Sequence, residues 1–334
     1  MRREMIADGP SVLVRVPAKL NLFLAVRGRM ADGYHELVTV LQTVSVFDEL
    51  RAEVVGPPGR GHHPAGRRRM RVEIRHERIA GMPDPGENLA ASAAVALGRR
   101  TGMEADHAAA DDSPEPRTVV NLRKNIPVAG GMAGGSADAA AALVGLNELW
   151  GCELTRDELR DVAEALGSDV PFCVVGGTAL ATGRGTSLAR VLCRGTFHWV
   201  ICQADQPLST ADVYRSWDRR CRPSQVEPDA VLQALRGEDP LALGAALHND
   251  LEAAAFALRP ELEEDKKALV DAGALGAVLS GSGPTLLGLA ADAKSAQRIA
   301  ADVADRFARV VTAHSPAGGP EFWDERIVDG RAGR

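Results

Sequence analysis

The sequence predicts an α+β protein built from two lobes. Strand-like segments of alternating β-branched residues and helix-like segments of apolar periodicity occur in both halves of the 334-residue chain. They do not follow one another as a strict strand–helix–strand series, which favours an α+β arrangement. The pattern changes near residues 190–195, where we expect a boundary between an N-terminal and a C-terminal lobe.

Composition narrows the class of protein. A formal charge of −6, from 39 basic and 45 acidic residues, argues against a general nucleic-acid binder. The five cysteines are scattered and form no C-x-x-C pair, so neither a metal site nor a disulfide framework is indicated. The sequence has no apolar leader and no run of 18 or more apolar residues. We therefore expect a cytoplasmic protein with no membrane partner.

The first lobe is predicted to hold four strands and three helices. The strands are rich in β-branched residues and span 12–16, 36–47, 70–75 and 118–123. The helices are expected at 88–99, 136–150 and 154–166. The third helix carries a capping box, with Thr155 as the cap and Glu158 three residues later. Residues 56–69 and 101–117 lack periodicity and are predicted to be surface insertions.

The second lobe is predicted to alternate between helices and strands. Strands are expected at 196–204, 274–279, 285–290 and 310–313. Helices are expected at 211–220, 229–236, 241–258, 261–272 and 293–307. The two strands at 274–290 flank a second small-residue turn, Ser280-Gly281-Ser282-Gly283-Pro284.

The glycine-rich turn at 127–140 is the strongest functional signal in the chain. Its two pairs, Gly130-Gly131 and Gly134-Gly135, come directly before an Ala/Leu-rich helix. Glycines let backbone N–H groups approach an anion, and the start of a helix carries partial positive charge. Ser136 is predicted to cap this helix and to offer its hydroxyl to a phosphate or its magnesium ion. A flexible linker, or a tight turn without a ligand, is the alternative interpretation of the same residues.

Four ordered motifs then give a family resemblance. They read PAKLNLFLAVRGRMADGYHEL at 17–37, IPVAGGMAGGSADAA at 126–140, LGSDVPF at 166–172 and LSGSGPT at 279–285. In this order and spacing they resemble the motifs of the GHMP kinase superfamily, and the resemblance spans about residues 12–315. It implies the two-lobed GHMP kinase fold, with the active site in the cleft between the lobes.

The resemblance also implies domains and an activity. We expect an N-terminal ATP-binding domain at 10–192, a C-terminal domain at 193–316 and a tail at 317–334 that could be disordered. The implied reaction moves the γ-phosphate of ATP to the 2-hydroxyl of 4-diphosphocytidyl-2-C-methyl-D-erythritol, in the non-mevalonate route to isopentenyl diphosphate. Another small alcohol, of the homoserine or mevalonate type, and a non-catalytic sensor of the same fold stay as alternatives.

Family motifs assign roles to individual residues. Asp169 matches the proposed general base, and Lys19 matches the lysine that orients it and neutralises the transferring phosphoryl group. The ATP-binding residues implied are Lys124, Asn88, Leu89, Pro127, Val128, Ala129, Gly130, Gly131, Met132, Ala133, Gly134, Gly135 and Ser136. The negative charge of ATP requires Mg²⁺ as its counter-ion. We expect phosphates and water to hold this ion, because the sequence has no dedicated cluster of carboxylates for it.

The substrate side has its own implied residues. Tyr34 matches a residue that stacks on the cytosine ring, and His35 matches one that hydrogen-bonds the base. Tyr214 stands where relatives carry the second aromatic residue of this sandwich, and a tyrosine would still stack. Asn21 and Thr210 are expected to make polar contacts, and Gly281, Ser282 and Gly283 are expected to let the backbone approach the substrate. We expect small-molecule partners only, with no nucleic acid and no obligate protein partner.

Overall fold

The computed structural model confirms the α+β class, with two β-sheets and helices packed on both. It describes residues 10–56, 69–77, 84, 87–107, 117–128, 130–220 and 222–323. Most of the two predicted insertions, Ala129 and the end of the tail lie outside these residues. Among the described residues, no helix is long and apolar enough to cross a membrane.

The first sheet has nine strands within the described part of the chain. Its main order is β13-β1-β2-β5-β3-β4, while β6 joins β2 to β7 and β9 pairs with β1. The strands are β1 (Ser11–Arg29), β2 (His35–Val55), β3 (Arg69–His76), β4 (Glu104–His107), β5 (Arg117–Arg123), β6 (Thr178–Gly183), β7 (Ser187–Arg190), β9 (His248–Asn249) and β13 (Glu321–Phe322).

The second sheet has four antiparallel strands in the order β10-β11-β8-β12. They are β8 (Phe197–Gln203), β10 (Gly276–Leu279), β11 (Leu286–Ala290) and β12 (Arg309–Ser315). The chain passes from the first sheet to the second between Arg190 and Phe197, where the sequence predicted the lobe boundary. The strands β9 and β13 return to the first sheet.

The helices occur where the sequence predicted them, with three exceptions given below. The predicted capping box is confirmed, because the Thr155 side chain accepts from the Glu158 backbone and the Glu158 carboxylate accepts from the Thr155 backbone. The helices are α1 (Leu89–Thr101), α2 (Gly134–Trp150), α3 (Arg156–Ala163), α4 (Val170–Val175), α5 (Thr210–Arg220), α6 (Asp229–Gly237), α7 (Pro240–Ala246), α8 (Glu252–Leu258), α9 (Glu261–Asp271) and α10 (Ala293–Asp302).

The motif that begins at Pro17 starts inside a strand and does not follow one. β1 continues through Lys19 and Asn21 to Arg29 and pairs with β2 along its whole length. The pairing register shifts between Pro17 and Ala18 and again between Asn21 and Phe23. Such irregularities redirect individual side chains without ending the strand. They flank the two polar residues of the motif, which are both buried.

The single helix predicted at 241–258 is wrong. The chain instead forms α7, the short strand β9 and α8, because β9 pairs in parallel with Phe23 and Leu24 of β1. Two side chains hold this break in place. The side-chain oxygen Oδ1 of Asn249 accepts from the Leu251 backbone N–H. The Asp250 carboxylate accepts from the Val26 backbone N–H at 2.7 Å.

Three other expectations need correction. The tail is ordered through residue 323, since β13 pairs with Val14 and Arg15 of β1. The predicted insertion at 101–117 contains β4, which pairs in parallel with β3. The helix predicted at 293–307 ends earlier, as α10 followed by a short 3-10 turn at Ala304–Arg306. The sequence analysis also did not anticipate α4, β6 or β7.

Candidate active site

A cavity of about 890 Å³ opens between the two sheets, within the usual volume range of small-molecule sites. We call it the cleft. It is bordered by β1 and β2, the glycine loop before α2, the start of α4, the β10–β11 turn and α5. The predicted site residues that line it are Lys19, Asn21, Tyr34, His35, Pro127, Gly130, Gly131, Ala133, Gly134, Gly135, Asp169, Thr210, Tyr214, Gly281, Ser282 and Gly283.

The glycine loop presents the start of α2 without a side-chain cap. The helix begins at Gly134, and the residue before it, Ala133, has φ +58° and makes no capping hydrogen bond. The prediction that Ser136 caps the helix is therefore wrong, because Ser136 is already its third residue. It also does not line the cleft. An uncapped helix start leaves its first N–H groups available to an anion.

The glycine loop packs directly against the β10–β11 turn. A Cβ at Gly131, where φ is +71°, would overlap the carbonyl oxygen of Ser280. The Gly131 carbonyl accepts from the Ser280 hydroxyl at 3.1 Å and from the Lys19 ammonium at 3.2 Å. Gly130 is similarly confined, since a Cβ there would lie 2.9 Å from the Thr285 hydroxyl oxygen. Glycine is thus required by the contact between the two lobes.

Lys19 and Asp169 meet in the cleft, as the sequence predicted. The Lys19 ammonium donates to Asn21 Oδ1 at 2.7 Å and lies 3.7 Å from Asp169 Oδ2. Lys19 is buried, whereas the Asp169 side chain keeps 38% of its surface exposed. Asn21 is oriented in turn, because its amide donates to the Thr39 hydroxyl at 2.9 Å. A fixed buried cation therefore stands beside a carboxylate that is open to the cleft.

Asp169 affects its buried neighbours. It precedes α4, where its own side chain makes no capping hydrogen bond. Burial raises the pKa of Tyr214, and the charge of Asp169 raises it further. Burial likewise raises the pKa of the Cys173 thiol, and Asp169 is the second cause. Both groups therefore stay protonated near neutral pH.

Lys124 is buried next to the glycine loop and does not line the cleft. Its ammonium is buried, donates to both Asp48 and Asp138, and also approaches the Gly134 carbonyl at 3.3 Å. Burial alone would lower the pKa of Lys124, but the two carboxylates outweigh it and raise that pKa. Lys124 therefore contacts the glycine loop at Gly134 and links it to charges inside the protein.

The two carboxylates around Lys124 are not equivalent. Asp48 Oδ1 accepts from the backbone N–H groups of Asn125 and Ile126, at 2.6 and 2.9 Å. Asp138 Oδ1 has no hydrogen-bond partner in the described part of the chain. Burial therefore raises the pKa of Asp138 to about 7, against the opposing pull of Lys124. Asp138 is the member of this trio that takes up a proton.

The substrate end differs from the predicted aromatic sandwich. The Tyr214 ring is stacked on the His35 ring, with centroids 4.6 Å apart, so one of its faces is already occupied. Tyr34 is 57% exposed and carries the Arg184 guanidinium over its ring at 4.3 Å. Both tyrosines still line the cleft. The Thr210 hydroxyl is hydrogen-bonded to the Ser282 hydroxyl at 2.8 Å.

Seven predicted site residues do not line the cleft or lie outside the described residues, Lys124 and Ser136 among them. Asn88 caps α1, because its Oδ1 accepts from the Ala90 backbone at 2.9 Å. Leu89 follows it and packs toward Gly135. Met132 is fully buried, and its carbonyl accepts from the Lys19 backbone. Val128 is absent from the lining, and Ala129 lies outside the described residues.

Sequence reasoning missed several polar residues of the cleft. Arg29, Arg184 and Asp218 line it, and Asn249 stands behind the β10–β11 turn. Arg184 lies in the short TGRG segment after β6, where glycines around an arginine were a usable signal. Asn249 had a weaker one, as a polar residue interrupting an apolar helical pattern. The sequence contains no signal for Asp218, because its position on α5 fits an ordinary exposed helix face.

Comparison with known proteins supports the motif assignment. A model of the GHMP kinases N terminal domain matches residues 88–177, and a model of the GHMP kinases C terminal domain matches residues 231–309. A Salinispora tropica protein named 4-diphosphocytidyl-2-C-methyl-D-erythritol kinase is 47% identical over 94% of each chain. A protein of the same name from Saccharopolyspora erythraea is 46% identical over 97% of this chain and 96% of that one.

Solved structures agree with this. A crystal structure of 4-(cytidine 5'-diphospho)-2C-methyl-D-erythritol kinase superposes with a TM-score of 0.72 at 30% identity, covering 92% of this chain and all of the other. Leishmania major mevalonate kinase, solved with R-mevalonate, gives a TM-score of 0.68 at 18% identity over 94% and 99% of the two chains, which shows a shared fold. With near full-length identity of this order, the chain belongs to the 4-diphosphocytidyl-2-C-methyl-D-erythritol kinase family of the GHMP kinases.

Proposed function

We propose that the protein transfers the γ-phosphate of ATP to the 2-hydroxyl of 4-diphosphocytidyl-2-C-methyl-D-erythritol, giving the 2-phosphate and ADP. The observation that carries the proposal is the arrangement along one cleft. An uncapped helix start and the Lys19–Asp169 pair share this cavity with the rings of Tyr34, His35 and Tyr214. A triphosphate, a reacting hydroxyl and a nucleobase each have a chemically matched region there.

The glycine loop would hold the triphosphate. Gly130, Gly131, Gly134 and Gly135 line the cleft, and no side chain occupies the first N–H groups of α2. Backbone N–H groups and the helix dipole together stabilise bound phosphate. Lys124 would support phosphate binding indirectly, because its buried ammonium contacts the Gly134 carbonyl and so helps to position the loop. Loop position would then depend on the ion trio that Lys124 forms with Asp48 and Asp138.

Lys19 and Asp169 would carry the chemical step. As the substrate oxygen bonds to the γ-phosphorus and the bond to ADP breaks, the hydroxyl proton passes to the Asp169 carboxylate. Lys19 is positioned by Asn21 and by the Gly131 carbonyl, with its ammonium toward both the loop and Asp169. It would stabilise charge on the transferring phosphoryl group in a site that needs no rearrangement.

Magnesium would enter with ATP. In the described residues no group of three or more His, Cys, Asp or Glu side chains could hold a metal ion. Ser168 and Asp169 line the cleft, and Asp169 lies beside Lys19, which fits a Mg²⁺ ion held mainly by phosphates and water. Such an ion would neutralise charge on the triphosphate.

The far end of the cleft would take the cytidine part of the substrate. The exposed Tyr34 ring offers a face for stacking, and the His35 ring is buried against Tyr214. The linked hydroxyls of Thr210 and Ser282 and the backbone of Gly281 and Gly283 also line the cleft, and they would contact the diphosphate and the sugar alcohol. Asn21 would contact the reacting end.

Two alternatives predict different behaviour. A homoserine- or mevalonate-type substrate is small and has no base, so it would leave the aromatic end of the cleft unused. A non-catalytic sensor would not need the Lys19–Asp169 pair to meet. We further propose that the protein works in the cytoplasm with small-molecule substrates alone, without nucleic acid and without an obligate protein partner.

The test is ADP release from Mg-ATP by the purified protein. It is run with and without 4-diphosphocytidyl-2-C-methyl-D-erythritol, and in parallel with homoserine and with mevalonate. We expect release that depends on the cytidine substrate and is lost in Asp169→Asn. Release with homoserine or mevalonate instead would overturn the substrate, and binding of ATP without turnover on any alcohol would favour the sensor.

A further inference from the structure

One hydrogen-bonded pair in the cleft, between His35 and Asp218, has no role in the mechanism proposed above. The Nε2 atom of His35 lies 2.7 Å from Oδ1 of Asp218. The His35 side chain is 9% exposed, and its ring is stacked on Tyr214 and meets Trp217 edge-on at 5.5 Å. These contacts fix the plane of the ring. Both His35 and Asp218 line the cleft.

The chemistry of the contact determines which nitrogen carries the proton. A carboxylate only accepts hydrogen bonds, so Nε2 must donate to Asp218. In the neutral imidazole the other nitrogen, Nδ1, is then an acceptor. Nδ1 makes no hydrogen bond to another residue of the described chain. An acceptor without a protein partner, on a ring that is held in place in the cleft, is matched by a hydrogen-bond donor of the ligand.

We infer that Asp218 is a positioning residue that makes His35 a hydrogen-bond acceptor and so selects a pyrimidine with an exocyclic amino group. Cytosine carries an amino group at position 4, which donates. Uracil carries a carbonyl oxygen there, which would face the lone pair of Nδ1. Rejection then comes from two acceptors that face each other once the bound base displaces water, which discriminates more sharply than shape. This inference rests on the proposed function.

Asp218→Asn distinguishes control of the His35 tautomer from a mere packing role of the Asp218 side chain. Asparagine has nearly the same shape, but its amide can either accept from Nε2–H or donate to a bare Nε2. The second arrangement puts the proton on Nδ1 and makes that atom a donor. Asp218→Glu keeps a carboxylate. Asp271→Asn, at an exposed position at the end of α9, is the matched control for the same chemical change elsewhere.

The closing experiment measures kcat and KM with the cytosine-bearing substrate and with its uracil counterpart. We expect Asp218→Asn to lower the cytosine-to-uracil ratio of kcat/KM by about tenfold, the value of one hydrogen bond. The change should arise in KM for the cytosine substrate, with kcat and the KM for ATP nearly unchanged. Asp218→Glu and Asp271→Asn should keep the preference. An Asp218→Asn enzyme that loses activity equally with both bases would overturn the inference.

A second measurement does not depend on turnover. Long-range ¹H–¹⁵N NMR spectra distinguish the two tautomers of each of the eight histidines, and loss of one set of signals in His35→Gln assigns His35. We expect the wild-type ring to carry its proton on Nε2. A proton on Nδ1 would overturn the inference. If the wild type turns over neither substrate, the proposed function fails, and the tautomer alone decides the present inference.

Discussion

The side-chain amide of Asn249 donates to the carbonyl oxygens of Leu279 and Gly281, at 2.8 and 2.7 Å. Asn249 is buried, and its Oδ1 accepts from the Leu251 backbone. One side chain thus joins β9 to the β10–β11 turn that borders the cleft. The turn also contacts Gly131 and, through Ser282, Thr210. Asn249 therefore holds a loop shared by both ends of the site.

Replacing Asn249 should affect stability and substrate binding together. Asn249→Ala leaves two buried carbonyl groups without a donor, which costs about 1–3 kcal/mol each when not compensated by water. We expect a lower midpoint of urea unfolding and a raised KM for the cytidine substrate. Asn249→Asp should lower the unfolding midpoint and raise KM further, because a carboxylate would face two carbonyl oxygens. An unchanged midpoint in both variants would contradict the anchoring role.

Asp169→Asn should abolish most turnover while leaving both ligands bound. A general base typically contributes about 10²–10⁴-fold to kcat, and the amide cannot accept the hydroxyl proton as a carboxylate does. Calorimetric affinities for ATP and the alcohol should change only a few-fold, since the side chain is half exposed and its volume is preserved. Turnover within a few-fold of the wild type would show that Asp169 is not the base.

Gly131→Ala should disrupt the contact between the glycine loop and the β10–β11 turn. The added Cβ overlaps the Ser280 carbonyl, and φ at this position is +71°. We expect weaker ATP binding by calorimetry and a lower melting temperature. Gly237→Ala is the control, because a Cβ there meets nothing within 4 Å and the backbone is helical. Equal behaviour of the two variants would argue against close packing of the loop.

Tyr34→Ala should raise KM for the cytidine substrate and leave KM for ATP unchanged. Stacking of a base on an aromatic ring is worth about 1–3 kcal/mol. Tyr34→Phe keeps the ring and should retain most of the affinity, including the contact with Arg184. A change in KM for ATP instead would mean that the two ends of the cleft are assigned in the wrong order.

Asp138→Asn should remove a pH dependence of stability. The pKa of Asp138 is about 7 in the folded protein, above its ordinary value of 3.8, so the folded state binds the proton more tightly between these values. The free energy of unfolding therefore falls as pH rises from about 4 to 7, by at most about 1.4 kcal/mol per pH unit from this group.

Urea unfolding at pH 5.5 and 8 tests this prediction. Asparagine mimics the protonated carboxyl, so the variant should lose less stability than the wild type over this interval. Parallel curves for the two proteins would show that Asp138 does not titrate there. The same measurement on Asp271→Asn controls for a general effect of removing one negative charge.

The parts of the site that could be predicted are those formed by short motifs of consecutive residues. The glycine loop is recognisable from its local composition, and the roles of Lys19 and Asp169 are implied by the resemblance of their motifs to a known family. The structure brings these residues together in the cleft. Lys124 could not be assigned this way. Its partner Asp48 is 76 positions away, and only the folded chain reveals that these charges neutralise one another inside the protein.

The fold shows the same division. Amphipathic helices and the Thr155 capping box were predictable, because their signals lie within one or two turns. The break at His248–Asn249 was not, since an Ala/Leu-rich segment favours a helix until pairing with β1 overrides it. The stacking of Tyr214 on His35 likewise depends on how α5 packs beside β2. Sequence spacing placed both rings in the cleft but not their mutual contact.

The way β1 completes its sheet has a consequence for synthesis of the protein. One side of β1 pairs with β2, which follows at once, but its other side is covered by residues 248–249 and 321–322. The ribosome adds both segments long after β1, so the strand that carries Lys19 spends much of translation with an open edge. Open edges invite pairing between nascent chains. Chains truncated before residue 321 should therefore be lost in the cell to aggregation, and chaperone supply should govern their yield.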